Sequence, residues 1–164
     1  SFANAVEADD AIEAVLLWSL PQCVVLPADH PHAGDARVRL GDLSGENLIT
    51  HPRRGGAGAN SEVLALCREQ GFTPKSIKEV AEIADLETLI GLVACGLGIT
   101  ILPSPFEHAA PPGVVFKPIA GTVRGPRISA CRRRHESNAL VDNFLAVATA
   151  LAGAGDEGPP VRGK

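Results

Sequence analysis

A chain of 164 residues that is 45% hydrophobic but only 4% aromatic must build its core from Leu, Val, Ile and Ala. Its formal net charge of −4 gives no support to a nucleic-acid-binding surface. No segment reaches the roughly 18 consecutive apolar residues of a membrane helix, because Glu13, Ser19, Pro21 and Gln22 interrupt the apolar stretch 11–26.

No basic leader precedes an apolar stretch and a small-residue cleavage site. The chain begins at Ser1 and contains no methionine, so it is expected to be a trimmed product or a piece of a longer one. Its four cysteines, Cys23, Cys67, Cys95 and Cys131, have apolar neighbours and no C-x-x-C spacing. They are expected to be buried free thiols in a reducing compartment.

In chain order, residues 1–20 read two ways. "DDAIEAVLLWSL" has helix-like apolar spacing, and it also reads as a connecting segment leading into a strand. "QCVVLP" is a short buried strand over 22–27, ended by Pro27, and "ADHPHAGDARV" is a loop. Leu40 and Leu43 around Asp42 suggest one helical turn, and "ENLITHP" supplies a second strand near 46–51.

"RRGGAGANS" follows, a loop of small residues whose Asn60 or Ser61 can cap the next helix, expected near 60–70. That helix puts Val63, Leu64, Leu66 and Cys67 on one side, and Gly71 stops it. "SIKEVA" alternates as a strand over 76–81. Asp85 can cap a helix near 85–95 with Leu86, Leu89, Ile90, Leu92 and Val93 nearly all round, a pattern of deep burial. Gly96 is the expected stop of that helix at positive φ, and Gly98 lets the chain turn at once into the strand "ITIL".

Strands are expected at 98–102, 114–118 and 127–133. A closing amphipathic helix spans 137–151, with Leu140, Phe144, Val147 and Leu151 on one face, and a flexible tail follows. Short aliphatic strands alternating with helices make an α/β fold, expected to contain a largely parallel sheet.

The chemistry-bearing patterns are sparse. Asp29, His30 and His32 share a Pro-containing loop that reads as solvated rather than metal-binding. There is no G-x-S-x-G and no cysteine in an activating context. The glycines of 53–61 lack both the P-loop lysine and the G-x-G-x-x-G spacing. A small-residue loop feeding a helix N-terminus does suit a carboxylate, through exposed backbone N–H groups and partial positive charge. His51, Arg53 and Arg54 lie at that place. "RRRH" at 132–135 reads as a solvated strand end.

In series, these segments resemble the effector-binding domain of LysR-type transcriptional regulators, from about Ala11 to Ala152. "CVVLPADHPHAG" is similar to the family stretch ending in "HPLA", and "VRLGDLSGENLIT" to its "V-L-DL---P-I". "LCREQGFTPKSIKEVAEIADLETLIGLVACGLGITILP" resembles an "AGF-P" turn, an "E-V" strand and a helix ending "LVAAGLGIALLP". "GVVFKPI" is similar to the strand that follows.

The resemblance implies a periplasmic-binding-protein-like (type II) α/β fold with two subdomains and a cleft. The chain would supply mainly the second subdomain with the crossover strands and closing helix. Residues 1–20 would be a connecting segment, 21–135 the second subdomain with crossover strands, 136–152 the closing helix of the first subdomain, and 153–164 a flexible tail. The first subdomain's opening strand-helix series and the winged helix-turn-helix have no counterpart in the sequence.

The implied function is sensing, not catalysis. A small effector, expected to be a carboxylic acid, would bind in the cleft, and closure would alter DNA-bound oligomers. By the same resemblance, this chain's share of the site is Thr50, His51, Arg53, Arg54, Gly58, Ala59 and Asn60, with Glu82, Ile83 and Ala84 in a second turn. Arg53 or Arg54 would meet the carboxylate in a charge-assisted pair. No cofactor or metal is implied. Self-association is expected, DNA would be reached only through an N-terminal domain absent from the sequence, and no membrane partner is expected. The location would be cytoplasmic. The competing reading is a solute-binding module or an enzyme on the same fold.

Overall fold

The computed structural model describes residues 2–4, 11–50, 59–79, 86–121, 123, 125–134 and 138–153. Two compact units emerge, one made of Ser1–Pro21 with Gly125–Lys164 and the other of Gln22–Arg124.

The Gln22–Arg124 unit is built on five strands: β3 (Gln22–Pro27), β4 (Asn47–Thr50), β5 (Ser76–Glu79), β6 (Thr100–Pro103) and β7 (Val114–Pro118). Strand β3 pairs antiparallel with both β6 and β7, whereas β4 and β5 are parallel. A single parallel bridge, Leu48 to Ile99, joins the two ladders and gives the spatial order β5-β4-β6-β3-β7. The sheet is therefore mixed, not the largely parallel one that strand–helix alternation suggests. The connection β6 to β7 contains only a 3-10 turn (Ser104–Ala109), and β3 runs against both of its neighbours.

Strands β3, β4 and β6 are buried on both faces, which explains why they are rich in aliphatic residues, whereas the edge strand β5 is largely exposed. Val24, Leu26, Leu48 and Ile101 join one apolar cluster, to which helix α1 (Ala59–Glu69) contributes Leu64, Leu66 and Cys67. Cys23, Val25, Ile49 and Leu102 join the opposite cluster, filled by Leu89, Ile90 and Val93 of helix α2 (Leu86–Ala94). The alternation of neighbours such as Leu48 and Ile49 between clusters is the two-residue period of a strand. Helix α2 buries one face, with Leu86 and Leu92 half-buried beside it and Glu87, Thr88 and Ala94 exposed. Its burial is thus one-sided, because the sheet covers it from one direction.

Both helices end in the same way. After α1, Gly71 has φ of 67°, its N–H reaches the Arg68 carbonyl, and the Phe72 N–H reaches that of Cys67. After α2, Gly96 has φ of 72°, its N–H reaches Val93, and the Leu97 N–H reaches Leu92. These are paired Schellman bonds, which satisfy the last helical carbonyls. Helix α1 begins at Ala59, so Asn60 and Ser61, the two alternatives expected for its cap, both lie within the first turn. Asp85, the expected cap of α2, falls outside the described residues.

The other unit has β1 (Phe2–Asn4), β2 (Ile12–Ser19) and β8 (Arg127–Arg133) in the order β1-β8-β2, all antiparallel, with helix α3 (Ala139–Gly153). The segment 12–19 is therefore a strand and not a helix. Its apolar residues find ladder partners in β8, with one irregularity between Leu16 and Trp18. Strand β8, expected within the 21–135 block, has its ladder partners in β1 and β2. The core of this unit is small: Leu17, Ala130 and Ala148, with Val15, Trp18, Leu145 and Ala152 packed around them.

Candidate functional site

Of the expected effector residues, Thr50, Ala59 and Asn60 are among the described ones, and Thr50 ends one of two parallel strands. Thr50 is the last residue of β4 and is buried, and its register partner is Glu79, the last residue of β5. The carboxyl ends of both strands thus lie side by side at one end of the sheet. The chain leaves β4 from this end toward α1 and leaves β5 toward α2. Ala59 and Asn60 are the first two residues of α1. His51, Arg53, Arg54, Gly58, Glu82, Ile83 and Ala84 lie outside the described residues. Adjacent parallel strands thus bring their last residues, Thr50 and Glu79, to a common edge. In open α/β sheets this edge is where ligands bind.

Other candidate chemistry resolves into structural roles. His30 is nearly buried, with 9% of its side chain exposed. Its Nδ1 accepts the backbone N–H of His32 at 3.1 Å, and its Nε2 lies 3.6 Å from Glu46. Its burial departs from the expected solvated loop, because the ring closes the turn after β3 and reaches the segment before β4. His32 instead pairs with Asp35 at 2.8 Å. Among the described residues no group of three or more His, Cys, Asp or Glu side chains could hold a metal ion.

All four cysteines are free. Cys23 and Cys67 are buried, and burial pushes their thiols up to about 11. The negative charge of Glu107 adds to the shift at Cys23. Cys95 is exposed and Cys131 half-buried, contrary to the expected burial of all four. Cys95 falls in the turn after α2, and Cys131 follows the buried Ala130 on the other face of β8.

Of the run expected as a solvated strand end, Arg133 and Arg134 are exposed, His135 lies outside the described residues, and Arg132 departs from the expectation. Arg132 donates from Nε to Glu13 at 2.7 Å and from its guanidinium to Asp142, and so ties β8 to β2 and to α3. The hydrogen bond and charge of Glu13, reinforced by Asp142, raise the guanidinium pKa above its ordinary value against the opposing effect of desolvation. Sequence reasoning missed this clamp because its members are 119 and 10 residues apart along the chain. Arg132 and Asp142 line an open hollow of about 550 Å³ with Val15, Leu145 and Thr149 among its walls. With two carboxylates already at the guanidinium, the hollow is a poor receptor for an acid.

The model of the LysR substrate binding domain matches residues 2–152, and the chain belongs to that family. It is similar to the HTH-type transcriptional regulator ShiR of Corynebacterium glutamicum (strain R), with 35% identity over 111 residues, 68% of this chain and 37% of that protein. With the regulator BenM of Acinetobacter baylyi it shares 26% identity over 162 residues, 97% of this chain and 52% of that protein. The chain thus spans about a third to a half of the length of these relatives. The structure of the BenM effector binding domain with its effector benzoate superposes with a TM-score of 0.81 at 24% identity, covering 97% of this chain and 72% of that one. The fold is that of LysR effector-binding domains, the periplasmic-binding-protein-like type II architecture.

Proposed function

We propose that this chain is the effector-sensing part of a LysR-type transcriptional regulator and that its ligand is a small carboxylic acid. The observation that carries the reading is the side-by-side ending of β4 and β5 at Thr50 and Glu79, each followed by a helix. Family membership and the fold shared with a benzoate-binding effector domain support it.

The binding residues are Thr50, His51, Arg53, Arg54, Gly58, Ala59 and Asn60, with Glu82, Ile83 and Ala84 from the second segment. Backbone N–H groups at the start of α1 and the guanidinium of Arg53 or Arg54 meet the carboxylate. The protein performs no chemistry. It acts in the cytoplasm, within oligomers that hold DNA through a helix-turn-helix domain. Gln22–Arg124 is the second effector subdomain, and the unit containing α3 belongs to the first.

Titration of the ¹⁵N-labelled chain with benzoate and with aliphatic dicarboxylates tests this reading. Saturable shifts are expected at the amides of 50–60 and 82–84, weakened at least tenfold in Arg53→Ala or Arg54→Ala and absent with benzamide. Shifts scattered over the whole surface, or equal for benzamide and benzoate, would refute it.

A further inference from the structure

Gln22 opens strand β3 and is the first residue of the Gln22–Arg124 unit. The residue is half-buried, and among the described residues its Oε1 is the buried side-chain oxygen or nitrogen left without a hydrogen-bond partner. A polar atom shielded from water and unpaired is costly to keep, so it calls for an explanation. The backbone of Gln22 is engaged, its carbonyl accepting the Ile119 N–H at 3.5 Å. Along β3, Cys23 and Val25 join one apolar cluster and Val24 and Leu26 the other. By that alternation the Gln22 side chain stands on the face of Val24 and Leu26, the face that helix α1 covers.

The register of the sheet relates this amide to Thr50. Leu48 bridges Ile99 in parallel, which sets Thr50 level with Ile101, and Ile101 pairs with Val24. Thr50, Ile101 and Val24 therefore form one row across β4, β6 and β3. Leu48, Ile101 and Val24 share a cluster, so Thr50, two residues after Leu48, stands on the same face as Gln22. Gln22 and its register partner Pro103 form the next row outward on that face, at the end where β4 and β6 terminate. At about 4.8 Å between strands and about 3.4 Å per residue, the Thr50 and Gln22 Cα atoms lie roughly 12 Å apart. Side chains standing nearly perpendicular to the sheet keep that separation. An aromatic acid about 6 Å long, with a hydrogen bond of about 2.8 Å at each end, spans the same distance.

We propose that Gln22 is a further effector-binding residue and that the effector is a hydroxy acid. Its carboxylate is held at the segment that begins with Thr50, and its hydroxyl donates to the Gln22 Oε1. This rests on the carboxylate reading of that segment. An amide oxygen is neutral, so it suits a neutral hydroxyl, whereas an ammonium calls for a carboxylate. An acid without the hydroxyl leaves the acceptor unpaired, and that penalty supplies the discrimination.

Titration of the ¹³C,¹⁵N-labelled 164-residue chain with benzoate and with its 2-, 3- and 4-hydroxy derivatives tests this. At least one hydroxybenzoate should bind tenfold or more tightly than benzoate and shift the Gln22 side-chain carbonyl resonance, which benzoate should leave in place. In Gln22→Leu the ratio of the two affinities should fall to about one. Benzoate-induced shifts at 50–60 with no hydroxybenzoate preferred, the result expected if only water meets the amide oxygen, would overturn this proposal and leave the carboxylate reading standing. A preference that persists in Gln22→Leu would overturn it as well. No shift at 50–60 with any of these acids would sink both readings. Should Gln22→Leu fail to fold, the side-chain carbonyl resonance of the parent chain decides.

Discussion

Gly98 is pressed against Asn47: a Cβ added at Gly98 would lie 3.0 Å from the Asn47 Cβ and 3.1 Å from its carbonyl carbon, and closer still to its carbonyl oxygen. The two backbones cannot draw apart easily, because the Ile99 N–H donates to the Asn47 carbonyl at 2.8 Å and the Ile49 N–H to that of Ile99 at 2.8 Å. This is the bridge that joins the β5-β4 ladder to the rest of the sheet.

Gly98→Ala is therefore expected to destabilise the chain by about 1–3 kcal/mol, the usual cost of overpacking. Gly96→Ala should cost only about 1 kcal/mol, from forcing a side chain into positive φ, since nothing lies within 4 Å of its Cβ position. Urea denaturation of the two variants checks the order. Equal or reversed effects would mean that the contact with Asn47 relaxes freely.

The cysteines predict a pH dependence. Cys23 and Cys67 are held protonated by burial, with folded pKa values of about 11 against an ordinary 9.0. Above 9 the unfolded chain has lost these protons while the folded chain keeps them, so stability falls with rising pH. The contribution is fully present below pH 9 and is lost between 9 and 11. The loss of melting temperature over that window should shrink in Cys67→Ala relative to the parent. In the native state at pH 8, Cys95 should react first with a thiol reagent, and Cys23 and Cys67 only on unfolding.

Arg132 joins Glu13 and Asp142 on two different elements. Arg132→Gln is expected to lower the melting temperature and to leave the first turn of α3 less protected from amide exchange. The effect should be larger at low ionic strength than at high, because the group is partly exposed and its pairs are screened. Coupling to Glu13→Gln in a double-mutant cycle should be positive. Additive single effects would show that the clamp contributes no pairwise energy.

His30 accepts the His32 N–H at Nδ1, so the neutral ring must carry its proton on Nε2, toward Glu46. Long-range ¹H–¹⁵N spectra at a pH where the ring is neutral should show that tautomer. Observation of the Nδ1–H form would contradict the hydrogen bond. His30→Ala should cost about 1 kcal/mol, the net value of a typical hydrogen bond.

Much of the local structure was legible in the sequence because its causes are local. Aliphatic runs between breakers mark β3, β4, β6 and β7, and Gly71 and Gly96 stop α1 and α2 through backbone geometry that only neighbouring residues set. The ordered series of motifs also made the family recognisable, and the domain match over residues 2–152 confirms it.

Tertiary structure alone decided what depends on distant partners. The segment 12–19 has helix-like spacing, yet it is a strand because β8, more than a hundred residues later, offers it a ladder. Strand direction is a property of pairs, so the mixed sheet could not be read from alternation. Arg132 looked like one of three solvated arginines until Glu13 and Asp142 were brought to it. The stripe of Leu140, Phe144, Val147 and Leu151 was visible as a pattern, but a pattern shows only that a face is apolar. Which of two adjacent stripes meets the sheet and which stays bare is set by how α3 packs, through the long-range contacts of Leu17 and Ala130 with Ala148.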